Sequence, residues 1–508
     1  MGEVLTLSFG QYANNTTTHL YNCQESQIPY TRNTPVNHNL TTFLSKSYSP
    51  NSGGGSSGGN ANYYPRALVF ELRGGLGALN KYEYSEKTPQ FDQPVTNQPA
   101  NPVAKNEYQR GLDLNLPTDS LLNTNNTKYW TDFNKLIYKP NSIITSPNFI
   151  HEYKKPGSHF NFTNQKYELF QTGQLEFQTV ANDSVESCRY WLEKCDYFQG
   201  MQIGTTTNDA WGGFTTSMIQ AVQDEFFNNN NKENIWIYAT MNQKQQQHPK
   251  KKNTLLQSIS EIYSFIELCN HSSVLFPIKP DYNSSLLNVK FDTSSIWHTS
   301  FIPAIFINAI WGVNSQLDNI ASMSLIQGCI LKGDESRKVV NEIKIVGENT
   351  GGNNSFNGMM MDVDLNSIKD WTRLSSSNQP NDISLGISGA DERYFSRNYI
   401  SMTKLALEAQ QDADISSNFV NPWIDNILNG DTAPGIIDKK KSNNFYTTFN
   451  VHAGLRTYLK PYRVIIENTR QGQLTNVVED KDELLNDISN LMTSYSCGFE
   501  SDDDDFYD

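Results

Sequence analysis

Cysteine is scarce in this chain: Cys23, Cys188, Cys195, Cys269, Cys329 and Cys497 are the only six in 508 residues. None forms a CxxC pair and the density is far below that of a stapled secreted scaffold, so reduced thiols and no zinc site are expected. Positive charge is also short, with 40 Lys and Arg against 54 Asp and Glu, a formal charge of −14 and a pI near 5.1. Such a balance argues against direct nucleic-acid binding, which draws on phosphate contacts. The basic run Lys250 to Lys252, after a Gln tract, reads as a solvated loop tip. No run of ~18 apolar residues is read, so no transmembrane segment is expected. The N-terminus MGEVLTLSFG lacks the Arg-rich amphipathic character of a transit peptide, which places any organelle association on the cytosolic side. It fits the loose M-G-x-x-x-[ST] myristoylation pattern, but Val4, Leu5 and Leu7 also mark a first strand with a buried start. No Walker motif, no HExxH and no G-x-S-x-G elbow is read, so no catalytic residue and no metal ligand is assigned.

What is present is length and periodicity. A chain of 508 residues is enough for two or three packed domains. VLTLSF reads as a strand, GQYANN as a turn and THLYNCQE as the start of a helix; RALVFEL, after Pro65, reads as a second strand ending at RGGLG. SVESCRYWLEKC is a helix, YFQGMQI a strand, GGFTTSMIQAVQDEFF a helix and NIWIYATM a strand, an order that implies βαβ units and a parallel sheet. Phe214, Met218, Val222 and Phe226 recur every four residues and give that helix one apolar stripe for the sheet. TLLQSISEIYSFIELCNHSSVLFPI reads as a further helix, and SFIPAIFINAIWGV as the buried central one. The expected fold class is α/β: a parallel Rossmann-type domain over 1–320, a second α+β domain over 321–471, and a C-terminal helix with an acidic tail over 472–508. FYTTFNVHAGLRTYLKPYRVIIEN is taken as a strand-like run of the second domain. Gly/Ser/Asn-rich and Pro-rich tracts near 47–63, 80–128 and 243–252 are expected to loop out.

The order of elements, with particular residues, resembles the tubulin superfamily and more closely its Misato branch. YYPRALVFEL (63–72) is similar to the stretch around PRAVLVDL, CDYFQGMQ (195–202) to CDCLQGFQ, and VLTLSFGQYANNTTTHLYNCQE looks like the Misato form of the first strand, glycine turn and helix. The resemblance spans roughly 1–312 and implies a tubulin-like fold around a nucleotide site. Carried over residue by residue, that site takes Gly10, Gln11 and Asn14 from GQCGNQIG, Arg73 and Gly74 from DLEPGT, and Asn208, Gly212 and Gly213 from GGGTGSG. Each loop departs from its pattern. Asp209 and the bulky Trp211 enter the phosphate loop, where an acid repels phosphate and side chains block the backbone approach that glycine permits. That segment reads either as a modified phosphate loop or as a helix cap by Asp209 or Asn208. Arg73 replaces an acid and reads either as a phosphate contact or as an ordinary surface arginine. The GxxNxD acid that polarises water has no counterpart in Ser315 to Ile320, where Asp318 stands two places early, and Trp297 reads as a base-stacking or a core aromatic.

The resemblance therefore implies a protein that is not an enzyme and needs no cofactor, GTP remaining open as a ligand. For the Misato branch it implies a part in mitochondrial partitioning and mitochondrial DNA inheritance, at the cytosolic face of the mitochondrion and in the cytoplasm. The partners implied are mitochondrial outer-surface or cytoskeletal proteins. Two alternatives stand beside this: a GTP-binding, polymerising switch, and an assembly factor linked to the cytosolic chaperonin.

Overall fold

The computed structural model describes residues 2–29, 36–48, 61–80, 103–227, 233–241, 251–347, 382–387, 393–403, 416–438, 445–474 and 477–496. The Gly53–Gly59 tract, most of the Gln-rich segment, the loop after Gly347 and the acidic tail lie outside these residues, as does 81–102 of the excursion read over 80–128.

Strands β1 (Glu3–Phe9), β4 (Ala67–Arg73), β5 (Ile143–Glu152), β6 (Lys155–His159), β7 (Phe198–Thr206), β8 (Asn234–Thr240) and β9 (Val274–Ile278) form a seven-stranded sheet in the order β6-β5-β4-β1-β7-β8-β9. All its pairs are parallel except β5 with β6. The expected parallel sheet is therefore present. Both faces of a parallel sheet are covered, which is why β1, β8 and β9 are buried at every position. The helices from Gly10 to Leu331 are α1 (Gly10–Glu25), α2 (Glu107–Asp113), α3 (Phe170–Gln178), α4 (Ala181–Leu192), α5 (Trp211–Phe226), α6 (Lys251–Asn270), α7 (Ile296–Ser315) and α8 (Met323–Leu331). The short pair β2 (Leu44–Tyr48) and β3 (Ala61–Pro65) is an antiparallel arm beside β4.

The α5 stripe meets the sheet as its spacing predicts. Phe214, Met218 and Val222 are buried, and the Phe214 ring lies 5.9 Å from Phe9 of β1 and 5.6 Å from Phe70 of β4. Helix α7 is the central buried one: nineteen of its residues, from Trp297 to Ser315, are buried. It is also long and apolar enough by composition to cross a membrane, although polar residues interrupt its apolar run; here it is wrapped by protein.

A second sheet has the order β11-β10-β14-β12-β13, from β10 (Glu342–Gly347), β11 (Asp382–Ser384), β12 (Tyr394–Ser401), β13 (Ser416–Val420) and β14 (Phe445–His452). Residues 338–340 join the two sheets: Leu275 N–H donates to Lys338 O and Val340 N–H to Leu275 O. The helix Lys481–Ser494, capped by the Asp480 carboxylate on the N–H groups of Asp482 and Glu483, packs on α6 and on the helix Leu455–Asn468.

Three readings are corrected. Helix α1 starts at Gly10 itself, so GQYANN is its first turn and not a separate loop. The segment TLLQSISEIYSFIELCNHSSVLFPI is α6 followed by β9, broken at His271-Ser272-Ser273. The run FYTTFNVHAGLRTYLKPYRVIIEN is β14 and then a helix, because Ala453-Gly454 breaks the strand and Leu455, Leu459 and Ile466 recur at helical spacing on one buried side.

Helices α3 and α5 cross at two glycines. A Cβ on Gly213 would stand 2.0 Å from Phe170 O, and one on Gly173 1.8 Å from Ala210 O. Gly213→Ala and Gly173→Ala should each lower unfolding free energy by about 1–3 kcal/mol, the usual cost of overpacking, while Gly328→Ala, which meets open space, should leave the denaturation midpoint in place or raise it.

Candidate functional site

The carboxyl-terminal ends of β1 and β4 and the start of α5 carry the residues assigned to the nucleotide site, the end of a parallel sheet where ligands bind in open α/β folds. The residues fall into three groups with different partners. Gln11 and Asn14, one turn apart on α1, both reach Glu71. Gln11 Nε2 donates to Glu71 Oε2 at 2.9 Å and to Gly75 O at 2.6 Å. Asn14 Nδ2 donates to Glu71 Oε2 at 2.9 Å and to Phe70 O at 3.0 Å. The other carboxylate oxygen, Glu71 Oε1, accepts from Leu72 N–H at 2.9 Å. Gly74, at φ +82°, turns the chain so that Gly75 O comes back to Gln11.

Glu71 is fully buried, and burial pushes its carboxyl from the ordinary 4.5 up to about 8. The Leu72 N–H and the Asn14 amide oppose that rise, and the nearby charge of Asp209 adds to it. Asn14 Oδ1 and the Tyr167 hydroxyl, both buried, find no hydrogen-bond partner among the described residues beside these acids.

The second group sits at the start of α5. Asp209 Oδ1 accepts from Trp211 N–H at 3.0 Å and from Thr206 Oγ1 at 2.6 Å, so this carboxylate serves one of the orphan amides that open the helix. Asn208 Oδ1 is buried without a donor among the described residues. The Trp211 ring is buried and packs against Tyr167 at 5.1 Å, Phe214 at 5.2 Å and Phe9 at 6.4 Å between centroids. Its Nε1 lies 2.3 Å from where a Cβ on Gly10 would stand, and Gly10 has φ +80°. Glycine is thus required at position 10 twice, for its backbone angle and for the indole against it. An anion approaching this turn would meet an indole and two acids.

The third group points elsewhere. A Cβ on Gly212 would come within 2.4 Å of Ser264 Oγ on α6, and Gly213 faces Phe170 O of α3, so both glycines serve close helix packing. The Arg73 guanidinium lies over the Phe160 ring, 4.7 Å from its centroid.

The base-proximal and hydrolysis segments are engaged within the fold. Trp297 is buried, its Nε1 donating to Thr432 O at 3.3 Å, and its own carbonyl meets His19 Nε2 at 3.0 Å. Tyr12 and Thr16 of α1 donate to the carbonyls of Thr299 and Ser300, at 2.9 and 3.3 Å. Gln316 Nε2 donates to Asn319 O and Val420 O, and Leu317 N–H to Asn37 O, while Asp318 is exposed. At the N-terminus Gly2 is buried, with its carbonyl accepting from Gln199 Nε2 at 2.7 Å.

Glu71 and Tyr167 were not singled out from the sequence. The signal for Glu71 was available: an acid inside the apolar run ALVFELR must be served by donors when the strand is buried.

Residues 2–114 match the Misato Segment II tubulin-like domain, and residues 119–317 match a tubulin domain. The chain is 40% identical over 584 aligned residues to Protein DML1 of Candida albicans, covering 100% of both chains. It is 36% identical to Protein DML1 of Scheffersomyces stipitis over 99% of each chain, and 35% identical to that of Debaryomyces hansenii over 100% of this chain and 99% of the relative.

The raised Glu71 pKa fixes the sign of a pH effect. Below its ordinary pKa the carboxyl is neutral folded or unfolded; between 4.5 and about 8 only the unfolded chain has lost the proton, so its contribution falls as pH rises. Chemical denaturation across that window should show a smaller loss of stability in Glu71→Gln than in the parent chain; parallel pH curves for the two would contradict the assignment. Asp209→Ala should cost about 1 kcal/mol in the same measurement through loss of the amide contact at the helix start.

Proposed function

Because the chain belongs to the Misato family of tubulin-like proteins, we propose that it acts as a non-catalytic, tubulin-like scaffold in the partitioning of mitochondria and the inheritance of mitochondrial DNA. In this reading it works in the cytoplasm and at the cytosolic face of the mitochondrion, with outer-surface or cytoskeletal proteins as partners and no nucleotide turnover. The organelle role rests on the family resemblance.

One observation carries the non-catalytic part: the Trp211 ring lies on the Gly10 turn. Phosphate loops work by closing bare backbone amides around oxyanions at a helix start. Here the indole covers the one turn, and the Asp209 carboxylate accepts the Trp211 amide of the other. Two glycines that the loop retains, Gly212 and Gly213, are occupied by α6 and α3. As they stand these residues do not fit a phosphate chain.

A second reading, a GTP-binding switch, draws on Asn14 Oδ1 and Asn208 Oδ1, two buried acceptors without donors. A titration separates the two. The purified chain should show no rise in melting temperature with GTP or GDP, with or without magnesium, up to about millimolar ligand, since a ligand bound only to the native state stabilises by RT ln(1 + [L]/Kd). A rise that grows with nucleotide concentration would replace the scaffold reading with the switch. Removal of the protein from its own cells should disturb mitochondrial DNA transmission, and unchanged transmission would overturn the organelle role.

A further inference from the structure

We propose that a small cavity between the seven-stranded sheet and helices α1 and α7 is a binding site for one ordered water molecule, held by the hydroxyls of Tyr238 and Thr6. The inference goes beyond the scaffold reading and does not rest on it.

The cavity follows from the residues on three neighbouring strands. Gly204 of β7 stands in register between Ser8 of β1 and Tyr238 of β8. Without a side chain at 204 the face of the sheet has a gap there, and Ala13 of α1, across from it, is small as well. A Cβ on Gly204 would stand 3.4 Å from the Ala13 Cβ, an ordinary contact. From α7, Pro303 and Ile307 line the same space. Its volume is about 20 Å³, and a single water needs about 10–15 Å³.

Two hydroxyls on this wall, Tyr238 Oη and Thr6 Oγ1, have no hydrogen-bond partner among the described residues. Each of the two residues is only 4% exposed. Thr6 lies two places before Ser8 on β1, so it projects from the same face of the sheet. Tyr21 lies beside Thr6 but gives its own hydroxyl proton to Arg66 O at 3.2 Å. Burial pushes the Tyr238 phenol far above its ordinary value, and no hydrogen bond offsets that rise. Other polar groups on the wall are engaged within the fold. Thr16 Oγ1 donates to Tyr12 O and Ser300 O, Thr17 Oγ1 donates to Ser8 Oγ, and Gln202 uses its amide on Trp311 Nε1 and Asn314 Oδ1. Thr240 of β8 adds a further hydroxyl to the lining.

A cavity lined only by carbon stays dry, whereas a buried hydroxyl left unpaired costs free energy. Here the room for one water coincides with hydroxyls from β1 and β8 that such a water would satisfy together. It would tie two strands that are not neighbours across the gap Gly204 leaves in β7.

The test is the melting temperature of the full chain in three variants. Tyr238→Phe deletes a hydroxyl that the water satisfies and should lower it by about 1–3 °C, the scale of one hydrogen bond in a large chain. Gly204→Ala fills the gap and displaces the water, so it should also lower the melting temperature. The drop should be smaller in the Tyr238→Phe background, where one hydroxyl fewer is stranded. In a dry cavity the first substitution removes an unpaired hydroxyl and the second fills space, so both would raise the melting temperature. A value that Tyr238→Phe raises or leaves unchanged, or strict additivity of the two substitutions, would overturn the proposal. Should a variant fail to fold, the parent chain still decides: the electron density of a high-resolution crystal structure should hold a peak within about 3.2 Å of Tyr238 Oη, and density without one would sink the idea. Neither readout bears on the nucleotide titration.

Discussion

The indole of Trp211 against the Gly10 turn is the contact around which the first half of the protein is arranged. It joins the β1–α1 turn to the start of α5 and brings Phe9, Tyr167 and Phe214 into one aromatic cluster. With the ring in place, α5 sits at a depth where Gly213 and Gly173 touch backbone across α3 and Gly212 accepts Ser264 of α6. The strand ends then close on themselves, with Gln11 and Asn14 turned to Glu71 and not outward. An open cradle at a helix start needs bare backbone; this one is lined with side chains, Gln11 and Asn14 on Glu71 and Asp209 on the Trp211 amide.

Much of the architecture was legible because its signals are long. Alternating strand and helix patterns from Ser184 to Met241 gave the parallel sheet, and the four-residue stripe of α5 gave its buried face. The misread segments share a cause: an apolar helix meets an apolar strand with only a few residues between them. Pro277 stands in β9, the last strand of the sheet's order, where a missing N–H is tolerated. In the other segment Val464, Ile465 and Ile466 are β-branched, yet the buried Leu455, Leu459 and Ile466 repeat at helical spacing. Local propensity lost to tertiary packing in both places.

The candidate site was legible as a set of positions but not as a set of roles. The resemblance brought Gly10, Gln11, Asn14, Gly74 and Asn208 to one end of the sheet, and they lie there. It could not give the direction of each side chain. Gly212 and Gly213 are read as phosphate glycines from their spacing, while their contacts are helical; Arg73 lies over Phe160. Glu71 escaped notice because attention falls on residues that replace a motif, whereas its importance comes from depth of burial and from the amides that meet it.

The C-terminal helix closes the fold late in the chain. Tyr495 Oη exchanges hydrogen bonds with the N–H and carbonyl of Val339, Arg337 Nε donates to Ser494 O, and Asp487 meets Asn270, 217 positions earlier. During synthesis α6 and the strand beside it leave the ribosome long before the segment that covers them. The nascent chain must therefore carry that uncovered surface while the 217 positions from Asn270 to Asp487 are made, and a truncation near the end leaves it uncovered for good.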